Sequence, residues 1–156
     1  MPRATDRLGM DADVTETTGR YLSAILLESE RADRPARTGE VAACLDVALA
    51  TVTERFEELD ERGLVEYAKY EGATLTPRGE AVTRDHMWKH CLAANFLAGD
   101  LDLPASDAGG LGSALSDETA RALQALIDHP CSGTCHAPDV EYSACQTCVE
   151  TAGGAD

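Results

Sequence analysis

Four cysteines and two histidines lie within twenty residues near the end of the chain, in the stretch HPCSGTCHAPDVEYSACQTC at positions 129–148. Cys131 and Cys135 form one close pair, and Cys145 and Cys148 form a second pair that is separated from the first by nine residues. Four thiolates at this spacing can surround one zinc ion or hold an iron–sulfur cluster, because both take tetrahedral sulfur ligands. His136 can replace one thiolate. We therefore predict a metal centre formed by these four cysteines and His136.

Three roles are open for this cysteine-rich segment. A zinc ion can be purely structural and supply folding energy to a segment too short for its own core. A transition metal (zinc or iron) or an iron–sulfur cluster can instead regulate the protein, and soft thiolates favour these centres over manganese. Disulfides are disfavoured: the sequence has neither a signal peptide nor an apolar stretch of membrane-spanning length, which indicates a cytoplasmic protein with reduced thiols and no membrane partner.

The charge of the chain is strongly negative and unevenly distributed. The formal net charge is −15, with 11 Arg and only 2 Lys, and 12 of the 13 basic residues precede residue 91. Only the first half can therefore meet a polyanion such as DNA. An acidic, lysine-poor composition is typical of proteins from an extremely salty cytoplasm, where charge repulsion is screened. An ordinary acidic protein is the alternative.

Hydrophobic periodicity predicts that the mainly α-helical chain begins with a winged helix-turn-helix. A first helix spans 15–30, Thr38 caps a short second helix, and a third helix buries its apolar face before it ends at Gly63. Two β-rich runs flank Glu71-Gly72 and indicate a hairpin. In this order the third helix can enter a major groove while the hairpin touches the DNA backbone. The same order also serves protein-docking modules.

The second half is predicted to be helical. Thr76 caps a long helix with Pro77 at its first position, the run GDLDLPASDAGGLG forms a loop, and Ser116 caps a last helix that turns Leu123, Leu126 and Ile127 inward. We predict a winged helix-turn-helix domain at 14–76, a helical dimerisation domain at 77–130 and a cysteine-rich metal-binding segment at 131–156. An apolar stripe is expected to form a homodimer interface, made of Trp88, Leu92, Phe96, Leu123 and Ile127.

The residues best suited to contact DNA lie around the second and third helices. Hydroxyl groups can bond phosphates or base edges, arginines can bond phosphates, and a carboxylate can accept from cytosine N4. The candidates are Arg31, Arg34, Arg37, Thr38, Thr51, Thr53, Glu54 and Arg55. The third helix also carries Glu57, Glu58 and Glu61, which repel phosphates unless cations intervene. A solvated acidic face is the alternative interpretation of this glutamate run.

Five stretches are similar to one family. TTGRYLSAI, TVTERFEELDERGLV, LTPRGEAV, KHCLAANFL and ALSDETARAL resemble, in order and spacing, the DtxR/MntR metal-dependent transcriptional repressors over roughly residues 14–130. The resemblance implies a homodimer formed by the helices that follow the wing. It also implies metal-controlled binding to a palindromic operator in double-stranded DNA.

The chain departs from this family at its metal ligands. The position of a ligand on the first helix is occupied by Arg20, which repels cations. The other ligand positions, just ahead of the SDE motif, are Gly109, Gly112 and Ser113. The family histidine is matched by His90, but its carboxylate partner is Ala94; His86, one turn earlier, is a possible ancillary ligand. We therefore predict that the manganese or iron site is lost and that regulation has moved to the thiolates.

These features predict a sequence-specific transcriptional repressor of metal or iron homeostasis, or of a redox response. No Ser-His-Asp set, P-loop or dinucleotide fingerprint is recognisable, so an enzyme is not expected. The alternative is a winged helix with a zinc knuckle that docks proteins of the transcription apparatus. A metal-buffering protein is a third possibility, for which one site is meagre.

Overall fold

The computed structural model describes residues 14–129, 131 and 133–136, and it confirms a mainly α-helical protein that begins with a winged helix-turn-helix. The winged unit consists of α1 (Glu16–Ala32), α2 (Thr38–Leu45), α3 (Leu49–Glu61), β1 (Val65–Ala68) and β2 (Gly72–Leu75). The helices that follow are α4 (Pro77–Asn95), a π-helical turn (Phe96–Asp100), a 3₁₀ turn (Ala105–Asp107), α5 (Ala108–Ala114) and α6 (Asp117–Ile127). The two antiparallel strands pair Val65 with Leu75 and Ala68 with Gly72.

Hydroxyl side chains fix where three helices begin. Thr15, Thr76 and Ser116 each accept a hydrogen bond from the backbone N–H three residues later, which confirms the predicted caps of α4 and α6. The predicted cap of α2 is wrong by one residue. Thr38 is the first helical residue and Arg37 is the N-cap, because the Glu40 carboxylate accepts from the Arg37 N–H at 2.9 Å.

One apolar core joins α1, α2 and α3 to the hairpin. Its fully buried members include Leu22, Ile25, Val41, Val52, Phe56, Leu59, Leu64 and Val65. The hairpin is also tied to the segment between α1 and α2, since Ala36 and Ala73 exchange two backbone hydrogen bonds of 2.9 Å. Gly72 has a φ of 120°, and a Cβ there would overlap the Ala36 carbonyl oxygen. The wing is therefore fixed to the body of the domain.

Three expectations about side chains and elements are wrong. The glycine-rich run that was predicted to be a loop contains α5, which packs along α4. Leu126 is 72% exposed instead of inward-facing, and Phe96 is half-buried while its neighbour Leu97 is buried. The glycines make α5 hard to predict from the sequence because glycine has a low helix propensity. In the folded protein, close packing on α4 compensates for that low propensity.

A second core lies between α1, α4 and α6. It contains Leu26, Leu27, Met87, Trp88, Cys91, Leu92, Ala120, Cys131 and Cys135. Trp88 and Leu92 are 1% and 0% exposed within a single chain, so neither is available for the predicted dimer interface. None of the helices in the described part of the chain is long and apolar enough to cross a membrane.

Candidate functional site

The outward face of α3 presents polar and acidic side chains. Val52, Phe56 and Leu59 anchor the opposite face in the core, so Thr51 and Glu54 are exposed. Thr53 is half-buried, and its hydroxyl donates to the Leu49 carbonyl oxygen at 3.1 Å. The exposed glutamates include Glu54, Glu57, Glu58 and Glu61. This face can therefore offer hydroxyl groups to a groove, but it meets phosphates with negative charge.

The arginines predicted to contact DNA differ in the groups that their side chains already bind within the protein. Arg34 forms a two-pronged ion pair with Glu40, with N···O distances of 2.5 and 3.0 Å. Hydrogen bonds from Arg34 and from the Arg37 backbone lower the pKa of Glu40 to about 2. Arg31 pairs with Glu28 at 3.1 Å, and Arg55 lies between Glu58 and the ring of Tyr21. Arg37 is exposed at the start of α2.

The tip of the wing carries two residues that sequence reasoning missed. Tyr70 is 91% exposed with a φ of 72°, and the Lys69 Nζ lies 5.4 Å from the centroid of its ring. A groove of about 380 Å³ separates this tip from the start of α2, and its lining includes Arg37, Thr38 and Tyr70. The Lys-Tyr pair at the predicted hairpin turn was the signal that could have identified them.

His86 and His90 come together on one face of α4, with ring centroids 6.1 Å apart. Burial and the neighbouring His90 lower the pKa of His86 to about 4. Burial also lowers the pKa of His90, although Glu16 opposes this shift. The His90 Nδ1 is buried and has no hydrogen-bond partner among the described residues. Both imidazoles are therefore neutral near pH 7.

The surroundings of this imidazole pair do not fit the metal site that the resemblance implies. A Cβ at Gly112 would lie 2.9 Å from the His90 Cα, and a Cβ at Gly109 would overlap the Glu16 carboxylate. Helix α5 therefore lies directly against α4 at Gly112, where even a Cβ would meet backbone atoms, and beside the Glu16 side chain of α1 at Gly109. Across residues 14–129, 131 and 133–136, no three His, Cys, Asp or Glu side chains are arranged to hold a metal ion.

A lysine ties α4 to α6 beside this glycine contact. The Lys89 Nζ lies 3.0 Å from the Asp85 carboxylate and 2.9 Å from that of Asp117, and the Lys89 side chain is 9% exposed. Burial alone lowers the pKa of Lys89, but hydrogen bonds to Asp117 and Asp85 raise it overall. The ammonium group therefore stays charged and joins the two helices electrostatically.

The first part of the cysteine-rich segment is docked along α4. Arg84 and Cys135 exchange two hydrogen bonds of 3.1 Å, and the Trp88 indole N–H donates to the Cys131 carbonyl oxygen at 3.1 Å. Cys131 and Cys135 are 6% and 1% exposed, whereas His136 is exposed. Cys145 and Cys148 lie outside the described residues, so the predicted four-cysteine centre stays a prediction.

The docked segment brings together a thiol and an imidazole that sequence reasoning did not include among the ligands. The Cys91 Sγ lies 3.0 Å from the His129 Nε2, in a buried position. The signals were present in the sequence. His129 stands two residues before Cys131, and Cys91 lies one and two helical turns after Met87 and Arg84, on the face that receives the segment.

Comparison with known proteins agrees with the fold. A sequence profile described as "Iron dependent repressor, N-terminal DNA binding domain" matches residues 13–73. The HTH-type transcriptional regulator MntR of Lysinibacillus sphaericus is 32% identical over 102 residues, which cover 61% of this chain and 73% of that protein. An uncharacterized HTH-type transcriptional regulator of Methanocaldococcus jannaschii is 31% identical over 112 residues, covering 69% and 90%.

Solved structures give the same result. The manganese regulator SloR aligns with a TM-score of 0.62 at 25% identity, covering 74% of this chain and 54% of SloR. The chain thus spans about half the length of that structure. The winged unit and the helices packed behind it define the class of helix-turn-helix transcription regulators. Within that class, the chain belongs to the DtxR/MntR family.

Proposed function

We propose that the protein is a DNA-binding transcriptional repressor whose affinity for DNA responds to a centre held by the C-terminal cysteines. The observation that carries this proposal is the continuity of α4. This helix follows the wing strand β2 directly, with Thr76 as its cap, and its middle holds the cysteine segment through Arg84 and Trp88. A change in the cysteine segment therefore acts on the helix that carries the wing.

The proposed effector is a transition metal (zinc or iron) or an iron–sulfur cluster, and the regulated genes serve metal homeostasis or a redox response. The lack of donor side chains at Gly109 and Gly112, against which α5 packs, argues for an effector site elsewhere in the chain. Thiolates select zinc, copper(I) or iron–sulfur centres over manganese, which supports this choice of effector.

The proposed DNA contacts divide between bases and backbone. Thr51, Thr53 and Glu54 on α3 face the base edges, and Glu54 accepts from cytosine. The phosphate contacts come from Arg37 and Thr38, with Arg31, Arg34 and Arg55 contributing where their ion pairs allow. Lys69 and Tyr70 on the wing touch the adjacent backbone.

The proposed regulator is a homodimer that binds a palindromic operator. Exposed leucines in the helices that follow the wing support this dimer. Leu101, Leu103 and Leu126 are 47%, 50% and 72% exposed. A two-fold interface that covers these side chains places two copies of α3 in a symmetric arrangement, and the operator must then share that symmetry.

The test is selection of duplexes from a random-sequence DNA library at molar KCl, without oxygen, with zinc, with iron(II) and with a chelator. We expect an enriched palindrome. Thr53→Ala should relax the base preference at one position of each half-site, while Arg37→Ala should weaken all sequences by a similar factor. Cys131→Ser/Cys135→Ser should remove the difference between metal and chelator. Equal DNA affinity with metal and chelator in the unsubstituted protein refutes the effector proposal.

A protein-docking module is the second candidate, and the acidic outer face of α3 favours it. Glu54, Glu57 and Glu58 project from the helix that would otherwise enter the groove, and the wing tip exposes Tyr70. Failure to enrich any duplex under all three metal conditions would favour this function over DNA binding.

A further inference from the structure

The sulfur of Cys91 is the acceptor of two N–H groups in the second core. The amide of Asn95 donates to the Cys91 Sγ at 3.3 Å and to the Cys91 carbonyl oxygen at 2.8 Å. The His129 Nε2 lies 3.0 Å from the same sulfur. A buried cysteine that binds no metal normally behaves as a small apolar residue that forms only weak hydrogen bonds. Two donors aimed at one sulfur instead stabilise negative charge on it, as a thiolate ligand requires.

The tautomer of His129 follows from its other nitrogen. The Cys131 N–H donates to the His129 Nδ1 at 3.1 Å, so Nδ1 serves as acceptor and the ring proton belongs on Nε2, which donates to Cys91. The Cys131 carbonyl oxygen lies 3.4 Å from the same Nδ1. When the proton moves to Nδ1, the Nδ1–H can donate a hydrogen bond to this carbonyl in place of the bond that Nδ1 accepts from the Cys131 N–H, and the Nε2 lone pair becomes available to a metal ion. Metal-bound histidines are commonly held by a backbone carbonyl in this way.

We propose that Cys91 and His129 are metal ligands and that they bind one soft cation, zinc or copper(I), together with the thiols of Cys131 and Cys135. This inference rests on the proposed function in one respect, because it names the ligand set of the effector centre. It assigns two ligands outside the CxxxC and CxxC pairs, and it leaves out His136, Cys145 and Cys148.

The geometry is close to what such a centre needs. Zn–N and Zn–S bonds of about 2.0 and 2.3 Å at a tetrahedral ion place the two donor atoms about 3.5 Å apart. The Cys91 Sγ and the His129 Nε2 are 3.0 Å apart, so binding opens this pair by about 0.5 Å. His129 follows α6, whose last turn is held by hydrogen bonds between Gln124 and His129, and a small rotation of its ring suffices.

The other two thiols belong to the same buried cluster. Cys131 and Cys135 pack with Cys91 in the second core, and their backbones are hydrogen-bonded to Trp88 and Arg84 on the helix that carries Cys91. In the described residues these side chains are not gathered around one point. Binding therefore requires Cys131 and Cys135 to turn their thiols toward the Cys91–His129 pair while their backbone hydrogen bonds to α4 stay in place.

The experiment is anaerobic titration of the reduced full-length chain with Co²⁺ and then Zn²⁺, followed by the thiolate-to-cobalt absorption band and by competition with a chelator. The variants are Cys91→Ser and His129→Gln. Matched controls are Cys44→Ser, a half-buried cysteine outside the cluster, and His136→Gln, the exposed histidine of the same segment. The Cys145→Ser/Cys148→Ser double variant tests the rival ligand set.

We expect one ion per chain, with affinity lowered more than tenfold in Cys91→Ser and His129→Gln and unchanged in the two controls. Loss of binding only in the Cys145→Ser/Cys148→Ser variant, or wild-type affinity in Cys91→Ser, overturns the proposal. X-ray absorption of the zinc-loaded unsubstituted protein provides a second measurement that needs no variant. Three sulfurs and one nitrogen are expected, and four sulfurs contradict the assignment. These readouts do not involve DNA, so a failed DNA selection with intact zinc binding refutes the proposed function alone.

Discussion

The packing of α5 against α4 gives a prediction with a matched control in the same helix. Gly112 is buried, and a Cβ at this position would meet the His90 Cα at 2.9 Å and the Lys89 carbonyl oxygen at 3.0 Å. Gly110 is exposed, and a Cβ there meets nothing within 4 Å. Gly112→Ala should therefore destabilise the protein relative to Gly110→Ala, although both substitutions add the same methyl group to α5.

The magnitude follows from two opposing effects. Replacing glycine by alanine in a helix interior gains up to about 1 kcal/mol, and this gain is similar at both positions. At Gly112 the methyl group meets backbone atoms, which cannot rotate away, and overpacking of this kind costs about 1–3 kcal/mol. The two variants should thus differ by about 1–3 kcal/mol in free energy of unfolding. At about 2–4 °C per kcal/mol for a chain of this length, their Tm values differ by roughly 2–12 °C.

The measurement is thermal and urea unfolding of both variants at one protein concentration and one KCl concentration, because dimerisation and salt both shift apparent stability. Equal stability of the two variants would falsify the close contact between α5 and α4. It would also argue against the predicted loss of the metal site around His90.

Three further outcomes are expected from the charges and surfaces of the described residues. Leu126→Glu should convert the proposed dimer into a monomer in light scattering at molar KCl. The control is Leu49→Glu, because Leu49 is also exposed, at 58%, but lies on α3; this variant should stay a dimer. Because the pKa of His86 falls from 6.5 to about 4 on folding, the unfolded chain binds the extra proton, and stability should drop by about 3 kcal/mol between pH 6.5 and 4; His86→Gln should flatten this slope. Lys89→Met should lower the free energy of unfolding in urea by about 1–3 kcal/mol. The loss stays within this range because the two carboxylates left unpaired, Asp85 and Asp117, remain partly solvated. Arg55→Met removes an exposed ion pair and should lower the free energy of unfolding by less than about 1 kcal/mol.

Local signals were sufficient for the winged unit. Hydrophobic spacing placed Val52, Phe56 and Leu59 inward, and Gly63, with a φ of 76°, ends α3 as expected. The hydroxyl caps at Thr76 and Ser116 could also be predicted from the sequence, because capping depends on residues only three positions apart.

Contacts between residues that are far apart in the sequence could not be predicted in the same way. Helix α5 was missed because the buried Gly112 is explained by the backbone of α4, about twenty residues earlier in the sequence, and Gly109 by the Glu16 side chain of α1. Leu126 was assigned to the core because it fits the apolar stripe of α6, yet no part of the described chain covers it. The Cys91–His129 contact joins residues 38 positions apart, so no local pattern pairs the two, although the spacing of His129 from Cys131 and the helical face of Cys91 were visible in the sequence.

The imidazole pair and the proposed thiolate centre lie on two faces of one helix. Successive residues on an α-helix are about 100° apart, so the adjacent residues His90 and Cys91 face different neighbours. His86 and His90 lie on the face toward α5 and α1, whereas Cys91 lies on the face toward α6 and the cysteine segment. Both faces belong to α4, which continues from the wing. Under our proposal, a ligand on the thiolate face would bias the helix that continues from the wing, so a change of sensing chemistry from imidazole and carboxylate to thiolate would need no new route to the DNA-binding unit.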